Sequence, residues 1–289
     1  MDRNFRKLKT LIRNNLNNIK TIAIEKFFEL PLLEKPFPND IFGKKPLKTK
    51  QHYLDLHKKA LKNQNPKVAK YETQLGFSLD NEWFNDVSLV TQTCIKNSPL
   101  NYNHGKILYT LVSKYIQDHK INTNITILET GTARGFSSLC MSKAINDQNA
   151  KGKIITIDCI SHNEKMYWNC IADFAGKKTR QELLSKWNKE ISNIIFVQGW
   201  TINLLERFGI NRVHFAFLDA QHTRKAVLKE FEFINARQEK GDIIFFDDVT
   251  PNLFDGVCDA VKYIGKHYSY KIELLNFNKL RGYAIAIRI

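Results

Sequence analysis

The sequence predicts a doubly wound α/β domain. It is built on a seven-stranded, mostly parallel sheet with an antiparallel last strand and preceded by a mainly helical N-terminal extension. Three observations carry this. After Asn124, short apolar runs alternate with helical stretches five times, which is the mark of a parallel sheet covered by helices on both faces. The chain then ends in two strands separated by only four residues, Asn278 to Arg281, a gap that allows only an antiparallel hairpin. Positive charge is concentrated before this pattern begins: residues 1–70 hold 17 Lys/Arg against 6 Asp/Glu, whereas the other 219 residues carry a surplus of only four.

Taken in order, residues 1–30 read as a helix with Phe5, Leu8, Ile12, Leu16, Ile19 and Ala23 on one face. The prolines of Pro31–Asp40 end it. Residues 41–75 are Lys-rich with little periodicity, and 76–100 read as irregular with short helices. A helix resumes at Asn103 with Ile107, Leu108, Leu111, Val112 and Ile116. The strands follow at 125–129, 153–158, 193–199, 213–220 and 242–249, each apolar at nearly every position, as burial on both faces requires. Helices are expected at 136–147, 164–190, 202–208, 223–238 and 254–268, and the hairpin strands at 271–277 and 282–289. Residues 1–100 are read as the basic extension and 101–289 as the domain.

Composition narrows the class. Hydrophobic residues make up 43% of the chain, enough for a core. No apolar run nears the roughly 18 residues of a membrane span, and no secretory signal is legible in MDRNFRKLKT. Five widely spaced cysteines without a CxxC pair suggest neither a disulfide framework nor a zinc site, so a reducing cytoplasm is the expected setting. The basic segment 1–70 could meet nucleic acid, an acidic membrane surface or an acidic partner, or serve solubility alone. The apolar stripe of residues 1–30 asks for a covering partner, with homo-oligomer formation the expected outcome.

The stretch ITILETGTARGFSS (125–138) is strand, glycine turn and helix start. Gly131 and Gly135 permit the turn, and Ser137 and Ser138 sit where free helix N–H groups can hold a carboxylate. The loop resembles the first motif of class I S-adenosylmethionine-dependent methyltransferases, an acid followed by GxGxG, with Ala133 at the central glycine. The layout resembles the same fold, whose last strand inserts antiparallel beside the fifth, over about residues 100–289. The resemblance implies S-adenosyl-L-methionine binding by Glu129 (methionine ammonium), Gly131, Thr132, Gly135, Ser137, Asp158 (ribose hydroxyls), Gln198 with Gly199 (adenine) and Asp219.

Two further strand ends, LDAQH (218–222) and FFDDV (245–249), open on the same crevice. Asp219, Asp247 and Asp248 should therefore converge, and without a basic partner such a cluster is unfavourable unless a divalent cation joins it. Oxygen ligands suit Mg²⁺, Mn²⁺ or Ca²⁺ better than zinc, with Mg²⁺ or Mn²⁺ the expected cofactor. These segments resemble metal-dependent O-methyltransferases, in particular macrocin- and mycinamicin-type sugar enzymes and cephalosporin-tailoring relatives. They imply metal ligation by Asp219, Asp247 and Asp248, with His222 as catalytic base toward a hydroxyl of a small molecule or sugar. His222 could instead cap or pack a helix start. His104 either borders the cofactor or lies in a surface turn. Trp83, Phe84, Trp168 and Trp187 are candidates for the acceptor site, though more readily core residues. A nucleic-acid methyltransferase using the basic arm and a non-catalytic cofactor-binding assembly protein remain the alternatives.

Overall fold

The structure is a computed structural model that describes residues 41–62, 65–119, 124–278 and 281–289; the helix read over residues 1–30 lies outside them. Residues Pro38–Ile289 form one compact unit. Three helices come first: α1 (Lys50–Lys62), α2 (Pro66–Leu75) and α3 (Asn81–Thr91). The first two fall where the sequence shows little periodicity. Their signals are local: the Asn65 side chain caps α2 with Pro66 in its first turn, and Gly76 ends it in the left-handed region at φ 79°. Each buries little, Tyr53 and His57 from α1 and Val68 and Glu72 from α2, so the apolar stripe is short.

The remaining elements are α4 (Asn103–Asp118), β1 (Ile125–Thr130), α5 (Phe136–Asp147), β2 (Gly152–Asp158), the short helices α6 (Arg180–Leu184) and α7 (Asn188–Ile191), β3 (Ile194–Gln198), α8 (Thr201–Leu205), β4 (Phe215–Leu218), α9 (Arg224–Asn235), β5 (Ile243–Phe246), α10 (Asp255–His267), β6 (Tyr270–Asn278) and β7 (Arg281–Arg288). The expected helix over 164–190 is not formed as one piece. Asn169 (φ 51°) and Gly176 (φ 90°) turn the chain out of helical geometry. The Asp173 carboxylate then fixes the turn by accepting the N–H groups of Trp168 and Cys170, and Met166 bridges Lys178 in antiparallel fashion.

The sheet order is β3-β2-β1-β4-β5-β7-β6. The first five strands are parallel, and β7 runs antiparallel between β5 and β6. This is the class I methyltransferase fold. One face packs against α4 and α5 through residues such as Ile107, Leu108, Leu139 and Ile127. The other packs against α9 and α10 through Phe231, Ile234, Val261 and Ile264. The register sets Thr130 beside Ile157 and Leu218, Asp158 beside Gln198, and Leu218 beside Phe246. All five parallel strands thus end on one edge, where their loops must carry any site. Among the described residues no helix is long and apolar enough to cross a membrane.

Candidate active site

The turn after β1 is held by short backbone contacts. Gly131 N–H donates to the Ile157 carbonyl (2.9 Å), and Asp219 N–H to that of Thr130 (3.0 Å). Gly131 has φ 91°, and a Cβ there would stand 2.0 Å from the Asp219 carbonyl oxygen. Only glycine lets the β1 and β4 loops approach this closely. Ala133 also takes the left-handed region (φ 45°), and its N–H donates to Asp158 Oδ2 at 2.6 Å. The other Asp158 oxygen accepts from Ile160 N–H at 2.8 Å.

Arg180, which sequence reading did not single out, lies behind this pair. It is almost wholly buried. Its Nε donates to the Ala133 carbonyl (2.9 Å) and one Nη lies 4.0 Å from Asp158 Oδ2, while its guanidinium packs over Trp168 and Phe196. Burial lowers its pKa, opposed by the charges of Asp158 and Glu129.

Glu129 is fully enclosed, and the hydroxyls of Ser137 and Ser138 donate to its two oxygens. Burial pushes it up to about 6 against those hydrogen bonds. Thr132 is likewise buried, its hydroxyl 2.6 Å from that of Thr156. Gly135 caps α5 at φ 87°. Gln198 ends β3 with its side chain exposed; its neighbours Gly199 and Trp200 are the ones that line a cavity.

Two cavities open along this edge. One, of about 210 Å³, is walled by Asp158, Gly199, Trp200 and Gln221. The second, of about 330 Å³, is walled by Lys96, His104, Arg134 and Ser137. They share Gly131, Ala133 and Asp219. His104 is enclosed between Phe136 and Phe217, and burial, then the charges of Arg281 and Lys96, lowers it to about 3, so it is neutral. Phe84, Trp168 and Trp187 belong to the core, with Trp83 packed against it.

Asp219, His222 and Asp248 bring ligand atoms within 4.8 Å of one another. His222 Nε2 stands 3.2 Å from Asp248 Oδ2 and 3.7 Å from Asp219 Oδ1, and neither contact has hydrogen-bond alignment. The histidine is brought here by close packing of α10, where a Cβ on Gly256 would stand 2.5 Å from the His222 carbonyl oxygen. Asp247 is not among the three converging groups; its Oδ1 accepts the Asp248 N–H at 2.7 Å.

Sequence reasoning took this acidic cluster to lack a basic partner. The structure supplies one, Arg281 at the start of β7, whose Nη1 bonds Asp248 Oδ1 at 2.6 Å. His222 and Arg281 hold Asp248 below the usual carboxylate range against its burial. Burial and then Asp219 and Asp248 raise Asp247 well above it. Asp219 and Asp248 in turn push His222 up to about 10.

Residues 128–249 match a family described as "Methyltransferase domain". Solved structures of similar fold include the O-methyltransferase TomG of Streptomyces achromogenes, involved in tomaymycin synthesis and in complex with S-adenosylmethionine. It is 15% identical, with a TM-score of 0.51 over 78% of this chain and 96% of that one. A Klebsiella pneumoniae protein assigned as an O-methyltransferase gives 16%, 0.53, 73% and 92%. The O-methyltransferase NovP gives 12%, 0.50, 83% and 99%. No curated protein matches the chain significantly. Residues 128–249 thus match a methyltransferase domain, and the strand order and the loop after β1 are those of the class I S-adenosylmethionine-dependent methyltransferase fold.

Proposed function

We propose that the protein transfers a methyl group from S-adenosylmethionine to a hydroxyl of a small molecule or sugar, with a divalent cation, Mg²⁺ or Mn²⁺, assisting. The observation that carries the reading is the meeting of the two cavities at Gly131 and Asp219, beside the converging Asp219, His222 and Asp248. Adenosine would occupy the smaller cavity, its ribose on Asp158. The acceptor would enter from the larger one. Residues 1–100 then act as an extension to the domain 101–289. Its described part contributes Phe42, Gln92 and Cys94 to the acceptor side.

The donor set fits a hard cation. Asp219 and Asp248 offer oxygens, Asp247 is a third carboxylate beside them, and the buried His222 Nε2 has no hydrogen bond. Arg281 meets Asp248 Oδ1, so Oδ2, which faces His222, would be the oxygen offered to a metal. When bound, the cation would lower the pKa of the acceptor hydroxyl and engage the carboxylates that otherwise keep a proton on His222. His222 takes the hydroxyl proton as the methyl moves in line from sulfur to oxygen. Fixed positions for donor and acceptor supply the rest, since methyl transfer is governed by alignment.

Calorimetry with S-adenosylhomocysteine and turnover assays on a panel of hydroxylated acceptors test this. Chelation should abolish turnover and Mg²⁺ or Mn²⁺ restore it. Full activity in excess chelator would remove the metal, and failure to bind S-adenosylhomocysteine would remove the methyltransferase reading.

A further inference from the structure

Two cations face the larger cavity, Lys96 from the segment after α3 and Arg134 from the turn before α5. The proposed reaction as set out gives neither a role. Among the described residues, no carboxylate lies within 4 Å of either side chain. Arg134 is nine-tenths buried and fixed in place. Its Nε donates to the Trp168 carbonyl (2.5 Å) and its guanidinium lies 4.7 Å above the Phe42 ring. No other hydrogen bond of this guanidinium is made with the described residues, so its Nη groups are available to a ligand.

Lys96 is exposed and lines the same concave wall. Crowding there pulls it below the ordinary lysine range; Cys94 opposes this, and the charges of Arg281 and Arg134 add to it. Like charges turned toward one another around a cavity are unfavourable when nothing negative lies between them. Of the other polar side chains in the wall, His104 is held neutral and the Ser137 hydroxyl is spent on Glu129. Asp219 at the floor is the one acid among the lining residues.

We propose that Lys96 and Arg134 form an oxyanion-binding wall in the cavity next to the site of methyl transfer. This rests on the methyl-transfer reading of the crevice. A guanidinium edge paired with a mobile ammonium is suited to carboxylate or phosphate oxygens. Two sources of such an oxyanion fit the position. One is the α-carboxylate of the cofactor's methionine, because Gly131, Ala133 and Arg134 carry the wall directly into the cofactor turn. The other is a phosphate or carboxylate on the acceptor, because the same cavity runs outward to Lys96.

The test compares wild type with Lys96→Met, a change at an exposed side chain, and with Arg134→Gln as a second variant. Calorimetry measures S-adenosylhomocysteine, 5′-methylthioadenosine (which lacks the amino-acid tail) and, with S-adenosylhomocysteine present, glucose 1-phosphate, glucuronate and glucose. If the cofactor carboxylate is the ligand, Lys96→Met weakens S-adenosylhomocysteine about tenfold or more and leaves 5′-methylthioadenosine unchanged. If the acceptor supplies it, S-adenosylhomocysteine is unaffected, while glucose 1-phosphate or glucuronate binds more tightly than glucose and loses that advantage in both variants. Equal weakening of S-adenosylhomocysteine and 5′-methylthioadenosine overturns the proposal, as does no effect on any of the probes or an anion preference that persists in both variants. Wild-type failure to bind S-adenosylhomocysteine at all would instead strike the functional reading.

Discussion

The two halves of the crevice are built on different principles. Around Asp158 the carboxylates are satisfied from within, though Arg180 Nη2 beside them has no hydrogen bond. Its oxygens take backbone N–H groups of Ala133 and Ile160, and Glu129 takes two serine hydroxyls. Around Asp219 the groups answer one another by charge. His222 and Arg281 flank Asp248, Asp247 is pushed strongly upward, and His222 Nε2 and Glu230 Oε1 are buried without hydrogen bonds. The first half is a preformed frame and the second a set of charges balanced against one another. Such unsatisfied buried groups are costly in a resting structure, and they concentrate where chemistry needs them.

Substitutions should separate the two halves. The largest effect is expected in the charged half: His222→Ala should lower kcat by about 10²–10⁴ in a turnover assay and leave S-adenosylhomocysteine affinity nearly intact. A matching loss of affinity would assign His222 to the frame instead. Next comes the frame itself. Gly131→Ala places a Cβ 2.0 Å from the Asp219 carbonyl oxygen at φ 91°, and strain plus overpacking should cost about 2–5 kcal/mol. Urea unfolding measures this; a wild-type midpoint would show that the loops yield freely.

The same division decides what could be read from sequence. The frame is local: Gly131, Gly135 and Asp158 lie within 28 residues, on a strand–turn–helix–strand whose apolar pattern is plain. Strand ends bearing Asp219, Asp247 and Asp248 were legible for the same reason. Arg281 was not, because it reaches Asp248 only through the insertion of β7 beside β5, where Val249 N–H bonds the Gly282 carbonyl at 2.9 Å. Lys96 and Arg180 come from segments without a clear period. The stretch around Arg180 reads as one helix in sequence, since its turn depends on Asp173 and on a positive φ at Asn169 that asparagine favours but does not enforce.

Asp158→Ala is the next test of the frame. It removes the proposed ribose acceptor and leaves the N–H groups of Ala133 and Ile160 without theirs. Cofactor affinity should fall about tenfold or more, the worth of one charge-assisted hydrogen bond, measured by calorimetry. Asp158→Asn keeps an acceptor for one of those N–H groups and should recover part of the loss. No recovery would mean that the charge, and not the shape of the turn, governs the site.

A separate effect concerns stability where the two halves touch. Glu230 of α9 is wholly buried. Thr130 of β1 donates to its Oε2 at 3.2 Å, and its Oε1 has no hydrogen bond. Burial, countered by the Thr130 hydrogen bond and the charge of His222, pushes its carboxyl up to about 8, whereas an unfolded chain titrates near pH 4.3. Between these values the unfolded state has released the proton and the native state keeps it. Unfolding therefore releases a proton, and stability declines as pH rises from about 4.3 toward 8. Glu230→Gln keeps an acceptor for Thr130 and cannot ionise. The variant should lose that part of the decline and gain on wild type by up to about 3–4 kcal/mol between pH 5 and pH 8, read as the difference in urea unfolding free energies. Parallel curves for the two proteins would mean that Glu230 ionises in the native state without penalty, and that the enclosed side of Asp219 is wetter than its packing implies.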